Sequence, residues 1–448
     1  MIDLFLKKIR EVKPQKKAII LNNEELSYSD LNTKINELYL LISKSFAEKK
    51  VVVISGDYSL NSIALVFALS QHKCVFIPII SDKESEILKR IEVSKPDYLI
   101  DSSTLSITNV KNNDSVNNAY YLDLFKSSKS GLVLFSSGST GNPKAMVHDF
   151  DNLLGSYLGV NTKNLIFLVF LMFDHIGGLN TMLNILSMGS TMVIPEKRDP
   201  ELIAALIQKY KVNILPASPT FLNLMNIGGI FESHDLSSLK LVTYGTEPMS
   251  ENLLSNLKSK LPKARLIQTF GTSETGIIKT KSKSSSSLLI KFEDQDQKVK
   301  IVNNELWIKS KTRVLGYINH NNDALTNDGW FKTGDLVEEK DNGYYRIFGR
   351  KSKIINVGGE KVLPIEVENT ILELNFILDC TAYAKDNLIT GQVVAVKVVV
   401  KSLDIDIKQL KKSIKLYCKK NLERYKVPAE IIISDKINYS SRFKKTLE

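Results

Sequence analysis

The stretch Phe135-Ser-Ser-Gly-Ser-Thr-Gly-Asn-Pro-Lys144 places four hydroxyl side chains, two glycines and one lysine within ten positions. It directly follows the apolar run Gly131-Leu-Val-Leu-Phe135. Such a loop suits polyphosphate: glycine lets the backbone turn tightly, and successive N–H groups form an anion nest. Ser136, Ser137, Ser139 and Thr140 add hydroxyl donors around Gly138 and Gly141, and Lys144 adds a point charge. The glycines and lysine do not fit G-x-x-x-x-G-K-[ST], so this is not a Walker A loop.

Other segments carry chemistry further along. Gln268-Thr-Phe-Gly-Thr-Ser-Glu-Thr-Gly276 joins an aromatic and a glycine to a carboxylate. Leu241-Val-Thr-Tyr-Gly-Thr-Glu-Pro-Met249 reads as a strand running into a glycine turn, and Trp330-Phe-Lys-Thr-Gly-Asp-Leu336 presents Asp335. Phe348-Gly-Arg350, Asn356-Val-Gly-Gly-Glu360 and Ile437-Asn-Tyr-Ser-Ser-Arg-Phe-Lys444 complete the series. Taken singly, each is a weak signal.

In order and spacing, the set resembles the AMP-binding, adenylate-forming ligases: acyl-CoA synthetases, peptide-synthetase adenylation domains and luciferases. The resemblance spans roughly residues 10 to 448. It implies a phosphate loop at Ser136–Lys144 and backbone contacts to the adenine edge from Tyr244, Gly245 and Thr246. Phe270 and Gly271 belong to the second nucleotide motif, where Phe270 would stack on adenine. Ser273 would bond the α-phosphate, and Glu274 would hold Mg²⁺ as a hard oxygen ligand. Asp335 would accept both ribose hydroxyls, and Arg350 would contact ribose or phosphate. Ser352 stands at the hinge, where the family usually has Asp or Lys. Gly358 and Gly359 would line the path of the thiol. Lys444 falls in register with the lysine that bridges carboxylate and α-phosphate, although Asn438 and Phe443 replace the usual Pro and Gly.

The implied cofactors are ATP, Mg²⁺ and coenzyme A, or the phosphopantetheine of a carrier protein. The implied partner is a small carboxylic acid, with a carrier protein acting in trans as the alternative. His175-Ile-Gly-Gly178 resembles the His-x-x-Gly of acyl- and aryl-CoA ligases, in which the histidine gates the acid site. Phe173-Asp174 also resembles the Phe-Asp of amino-acid-activating domains, in which the aspartate holds an ammonium group. The histidine alignment is favoured. The implied reaction forms an acyl-adenylate and then an acyl thioester. An inactive nucleotide-binding relative is the reading from a different class, and the presence of Lys144, Glu274, Asp335, Arg350 and Lys444 argues against it.

Positioning these groups needs a large layered scaffold. Strand-like Val51–Gly56, helical Asn61–Ser70 and strand-like Cys74–Ile80 form a βαβ unit, and similar cycles recur to about residue 243. The expected fold is α/β: a layered domain with mostly parallel sheets over 1–349, a hinge at 350–353, and a small mobile α+β lid over 354–448. Lys279–Ser287 is low-complexity and reads as a surface loop. The 448 residues suffice for several units. Three scattered cysteines exclude a disulfide framework, and no zinc spacing is present. The start lacks signal-peptide order, and no apolar run reaches the roughly 20 residues of a membrane span, so a cytoplasmic location is expected. Net charge is +11, and residues 401–448 hold 13 Lys and Arg against 6 acidic residues. This basic end suits an acidic carrier or the phosphates of coenzyme A; no nucleic-acid motif accompanies it.

Overall fold

Runs of β-branched and aliphatic residues build the sheets. The structure is a computed structural model describing residues 1–81, 83–110, 118–137, 143–294, 296–401, 406–436, 438–440 and 443–446. Its first seven-stranded sheet runs Arg265–Gln268, Leu241–Tyr244, Ile214–Ala217, Ile166–Leu168, Thr191–Ile194, Lys17–Leu21, Glu24–Ser27. Every neighbouring pair is parallel except the last. The second runs Gly316–Tyr317, Pro143–Asp149, Gly131–Ser137, Val75–Ile79, Val51–Ser55, Tyr98–Asp101, Ile107–Asn109. Its centre is parallel and both margins are antiparallel.

Helices fill the space between and outside these sheets. Leu60–Gln71 is apolar on every side because it is buried on every side, from Ile63 through Leu69. Its N-terminus is closed by a reciprocal Ser59–Ser62 cap. Ile176–Ser187 is similarly enclosed, and it begins at His175.

Residues 280–350, apart from Gly316–Tyr317 of the second sheet, depart from the mostly parallel arrangement expected. They form a six-stranded, fully antiparallel sheet ordered Thr280–Ser282, Leu289–Phe292, Tyr344–Arg350, Phe331–Lys340, Glu305–Ser310, Gln297–Val302. Only one face is buried, around Ile290, Leu306, Ile308 and Val337, so hydrophobicity alternates along each strand. The Lys/Ser tract is likewise not a free loop. Thr280–Ser282 is a strand, Ser282 Oγ accepts from Gln268 N at 2.9 Å, and Ser285 Oγ accepts from Leu266 N at 3.1 Å. The serines satisfy the open edge of the first sheet, which low complexity alone does not reveal.

Beyond Arg350 a separate core gathers Ile355, Val367, Ile371, Val396, Val398, Ile414 and Ile431. Five strands and the helices Pro364–Leu372 and Ile407–Asn421 surround it. The lysines of the second helix lie on its exposed face, while Leu410, Ile414 and Cys418 point inward. Among the described residues no helix is long and apolar enough to cross a membrane.

Candidate active site

Gly131–Ser137 and Pro143–Asp149 pair antiparallel, with Ser136 opposite Lys144 and Ser137 opposite Pro143. The hairpin therefore holds the phosphate-loop candidate at the end of two buried strands. Gly138, Ser139, Thr140 and Gly141 lie outside the described residues. Lys144 Nζ meets His320 Nε2 at 2.7 Å. Further along the same strand His148, opposite Leu132, is buried, and burial drives its pKa down to about 4, so the ring is neutral beside the backbone of Ser273 and Thr312.

A second polar group faces this hairpin. Glu274 Oε1 accepts from the Tyr317 hydroxyl at 2.8 Å, and the Tyr317 ring meets His320 edge-on at 5.7 Å. Asp335 and Arg350 are cross-strand partners, with Arg350 Nε 2.9 Å from Asp335 Oδ1. Arg350 Nη1 also donates to Thr333 O at 2.9 Å. Burial raises the Asp335 carboxyl to about 6; Arg350 opposes that shift, and Glu274 and Glu305 add to it. Tyr317 and His320 were missed in the sequence. They sit on and just after a two-residue strand, and nothing local marks them.

Ser273 and Glu274 are half-exposed, and Gly271 is exposed. Phe270 is packed into the antiparallel sheet's core, 5.9 Å from Phe292, with 9% of its surface accessible. Any stacking on a base is limited to that remaining surface. Tyr244 is buried, and its carbonyl already accepts from Thr269 N at 2.7 Å. Gly245 is required by space: a Cβ there would come within 2.7 Å of Thr269 O. Thr246 follows at φ 73°, a left-handed conformation that costs a β-branched residue energy.

The third group is a cleft lined by Phe170, Leu171, Met172, His175, Arg198, Thr246, Phe443 and Lys444. It unites His175, Thr246 and Lys444, which are widely separated in sequence. Gly177 N–H donates to His175 Nδ1 at 3.0 Å, so the proton of the neutral ring sits on Nε2. Gly178 lets the turn close, because a Cβ would collide with Met172 O at 2.0 Å. Asp174 is 3% exposed and paired with Arg90 at 3.0 Å. Asp174 is not among the residues that line this cleft, whereas His175 is.

Lys444 reaches the cleft because its neighbour is anchored. Lys445 Nζ lies 2.6 Å from Asp379 Oδ1 and donates to Cys380 O at 3.0 Å. Burial opposes the charge of Lys445, but the Asp379 and Glu368 carboxylates outweigh it and raise its pKa. Asp379 Oδ1 also accepts from Asn223 Nδ2 of the large domain at 3.1 Å. Ser218 Oγ donates to Phe443 O at 2.9 Å from the same side. The sequence signalled Lys444 but not this support.

Ser352 lies in the exposed 3-10 turn Lys351–Lys353, between the last strand of the antiparallel sheet and the first of the small core. Gly358 and Gly359 form an exposed hairpin tip with φ of 61° and 98°, and Asn356 Oδ1 accepts from Gly359 N at 3.0 Å. Neither joins the cleft in this conformation. Among the described residues no group of three His, Cys, Asp or Glu comes together as a metal cage. A lone half-exposed carboxylate at Glu274 fits Mg²⁺ carried in by a triphosphate, since Mg²⁺ characteristically takes one or two carboxylates plus substrate oxygens.

Comparison with known proteins gives a consistent picture. A family model described as AMP-binding enzyme matches residues 6–305, and one described as AMP-binding enzyme C-terminal domain matches 366–444. A 2-succinylbenzoate–CoA ligase from Listeria monocytogenes serotype 4b (strain F2365) is 26% identical, over 97% of this chain and 95% of its own. An indoleacetate–CoA ligase from Aromatoleum aromaticum is 27% identical over 68% of this chain and 64% of its own. Among solved structures, an anthranilate CoA ligase in complex with anthranoyl-AMP superposes with a TM-score of 0.82 at 16% identity, covering 99% of this chain and 95% of that one. An o-succinylbenzoate CoA synthetase from Bacillus subtilis with its acyl-adenylate gives 0.77 at 19% identity, covering 99% and 96%. These two share the fold.

Proposed function

Because this chain belongs to the AMP-binding enzyme family in both its large and its C-terminal segments, we propose that it is an ATP-dependent acid–thiol ligase. It would form an acyl-adenylate and then an acyl thioester, with coenzyme A as acceptor. The observation that carries the reading is the cleft in which Lys444 of the C-terminal segment meets His175 and Thr246 of the large domain. Ligases of this type among the relatives support the same activity.

In the first half-reaction a carboxylate oxygen attacks the α-phosphorus of ATP, and the bond to pyrophosphate breaks. Both reactants are anions, so the protein's task is to hold them together and offset charge. Lys444 is placed to bridge the carboxylate and the α-phosphate. Lys144 and the hydroxyls of the 136–140 loop serve the leaving phosphates, and Glu274 would hold a Mg²⁺ that would supply further positive charge. Asp335, as a carboxylate, accepts the ribose hydroxyls while Arg350 keeps it ionised and oriented. In the second half-reaction a thiol sulfur attacks the acyl carbon, and AMP leaves. Lys444 then obstructs the approach, and rotation about Ser352 would carry it away and bring Gly358 and Gly359 toward the acyl group.

The test is acid-dependent exchange of labelled pyrophosphate into ATP, across fatty, aryl, hydroxy and amino acids. Exchange with one acid class supports the reading. Silence with every acid, in a protein that binds ATP, overturns it.

A further inference from the structure

The residue before the candidate bridging lysine is Phe443, where the resemblance leads one to expect glycine. Its backbone adopts φ 50°, a left-handed conformation that glycine takes without strain and phenylalanine does not. A phenylalanine held there implies that the ring itself has a use. That ring is 8% exposed and projects from the C-terminal segment into the large domain. It lies 5.2 Å from the Phe170 ring and 5.2 Å, edge-on, from Phe221. Tyr439 stacks on its outer side at 5.1 Å and 15°. The cleft it leaves beside Lys444, His175 and Arg198 is about 20 Å³, room for roughly one water.

The C-terminal segment therefore delivers two side chains to the acid site together: a charge at 444 and an aromatic stopper at 443. We propose that Phe443 sets the depth of the acid pocket, confining adenylation to short carboxylic acids. This rests on the ligase reading above. Selectivity would then reside partly in a segment that leaves when the lid turns. Size would be checked at adenylation, while the acyl chain would no longer be confined by the ring during thioester formation. The positions that hold the segment are separate, since Lys445 and Ser218 fix its backbone without touching the ring's role.

The experiment measures kcat/KM for acid-dependent pyrophosphate exchange along a straight-chain series from acetate to octanoate. It compares wild type, Phe443→Gly, Phe443→Leu and Phe443→Trp. The expected result is a cut-off that moves to longer acids in the glycine variant, with at least about a tenfold gain for the first acids beyond the wild-type limit. Leucine gives a smaller gain, and tryptophan moves the cut-off to shorter acids. An equal change for every acid would overturn the proposal, because it would mean that the ring only holds the segment in place. An unchanged cut-off in all three variants would overturn it as well. A wild type silent along this series but active with another acid class would overturn this proposal alone, whereas silence with fatty, aryl, hydroxy and amino acids alike would remove the ligase reading and this proposal with it.

Discussion

The proposed nucleotide side of the site and the proposed acid side are built in different ways. Glu274, Asp335 and Arg350 sit on or beside strands of one domain, and Asp335 and Arg350 oppose each other across a single strand pair. Their geometry is set by sheet register and exists whenever the large domain is folded. The acid cleft is assembled from two cores. Phe170, His175 and Thr246 come from the large domain, and Phe443 and Lys444 come from a segment tied to the small one through Asp379. The groups proposed for nucleotide binding and for acid activation therefore have separable structural supports. Changes in the first should alter ATP affinity, and changes in the second should alter adenylation while leaving ATP bound.

Four predictions sharpen or break that division, from the largest effect to the smallest. Lys444→Ala should slow adenylation by about 10²–10³-fold with little change in ATP affinity, the loss typical of one charge-stabilising donor. Thioester formation from a supplied acyl-adenylate should be nearly unaffected, and loss of both steps would show that Lys444 also supports the fold. Lys445→Met leaves Asp379 and Glu368 buried without their cation and should destabilise the small domain by about 3 kcal/mol, read from denaturant unfolding. A change under about 0.5 kcal/mol would mean the anchor carries no weight.

The third prediction concerns pH. The Asp335 carboxyl is raised to about 6, so it becomes protonated as pH falls through that value and loses acceptor capacity for the ribose hydroxyls. KM for ATP should rise below pH about 6 while kcat at saturating ATP changes less. Asp335→Asn should raise that KM by roughly tenfold, the value of one hydrogen bond to a charged group, and should abolish the pH step. Last, Asn223→Ala removes the buried bond to Asp379 that crosses between the domains. Lid docking should weaken by about 1.5 kcal/mol, slowing adenylation severalfold at unchanged ATP affinity. Its effect and that of Lys445→Met should not add, since both act on Asp379.

Much of the scaffold was legible because periodicity and buried runs persist over whole elements. Val51–Ser55, Leu60–Gln71 and Val75–Ile79 fall where apolar patterning places them. The antiparallel sheet over 280–350 was not legible, because its strands bury only one face and are separated by turns. The Ser282 and Ser285 hydroxyls bond a strand edge that a serine-rich composition does not announce. Motif spacing singled out Asp335 and Arg350, which the structure pairs across two strands, and His175 and Lys444, which it brings to one cleft. It missed Tyr317 and His320, whose contacts with Glu274 and Lys144 arise only when the chain returns across the second sheet. Phe443 was visible in the sequence only as a departure from glycine; its meaning lies in the aromatic pair it meets.

The most direct test of the account is pyrophosphate release with ATP and Mg²⁺ across the acid panel, first without thiol and then with coenzyme A. The account predicts release with one class of acid, accelerated by coenzyme A as acyl-CoA and AMP accumulate together. Adenylate that forms but is not discharged by coenzyme A would contradict the assigned acceptor and point to a carrier protein. Absence of release with every acid, despite ATP binding, would contradict the ligase itself.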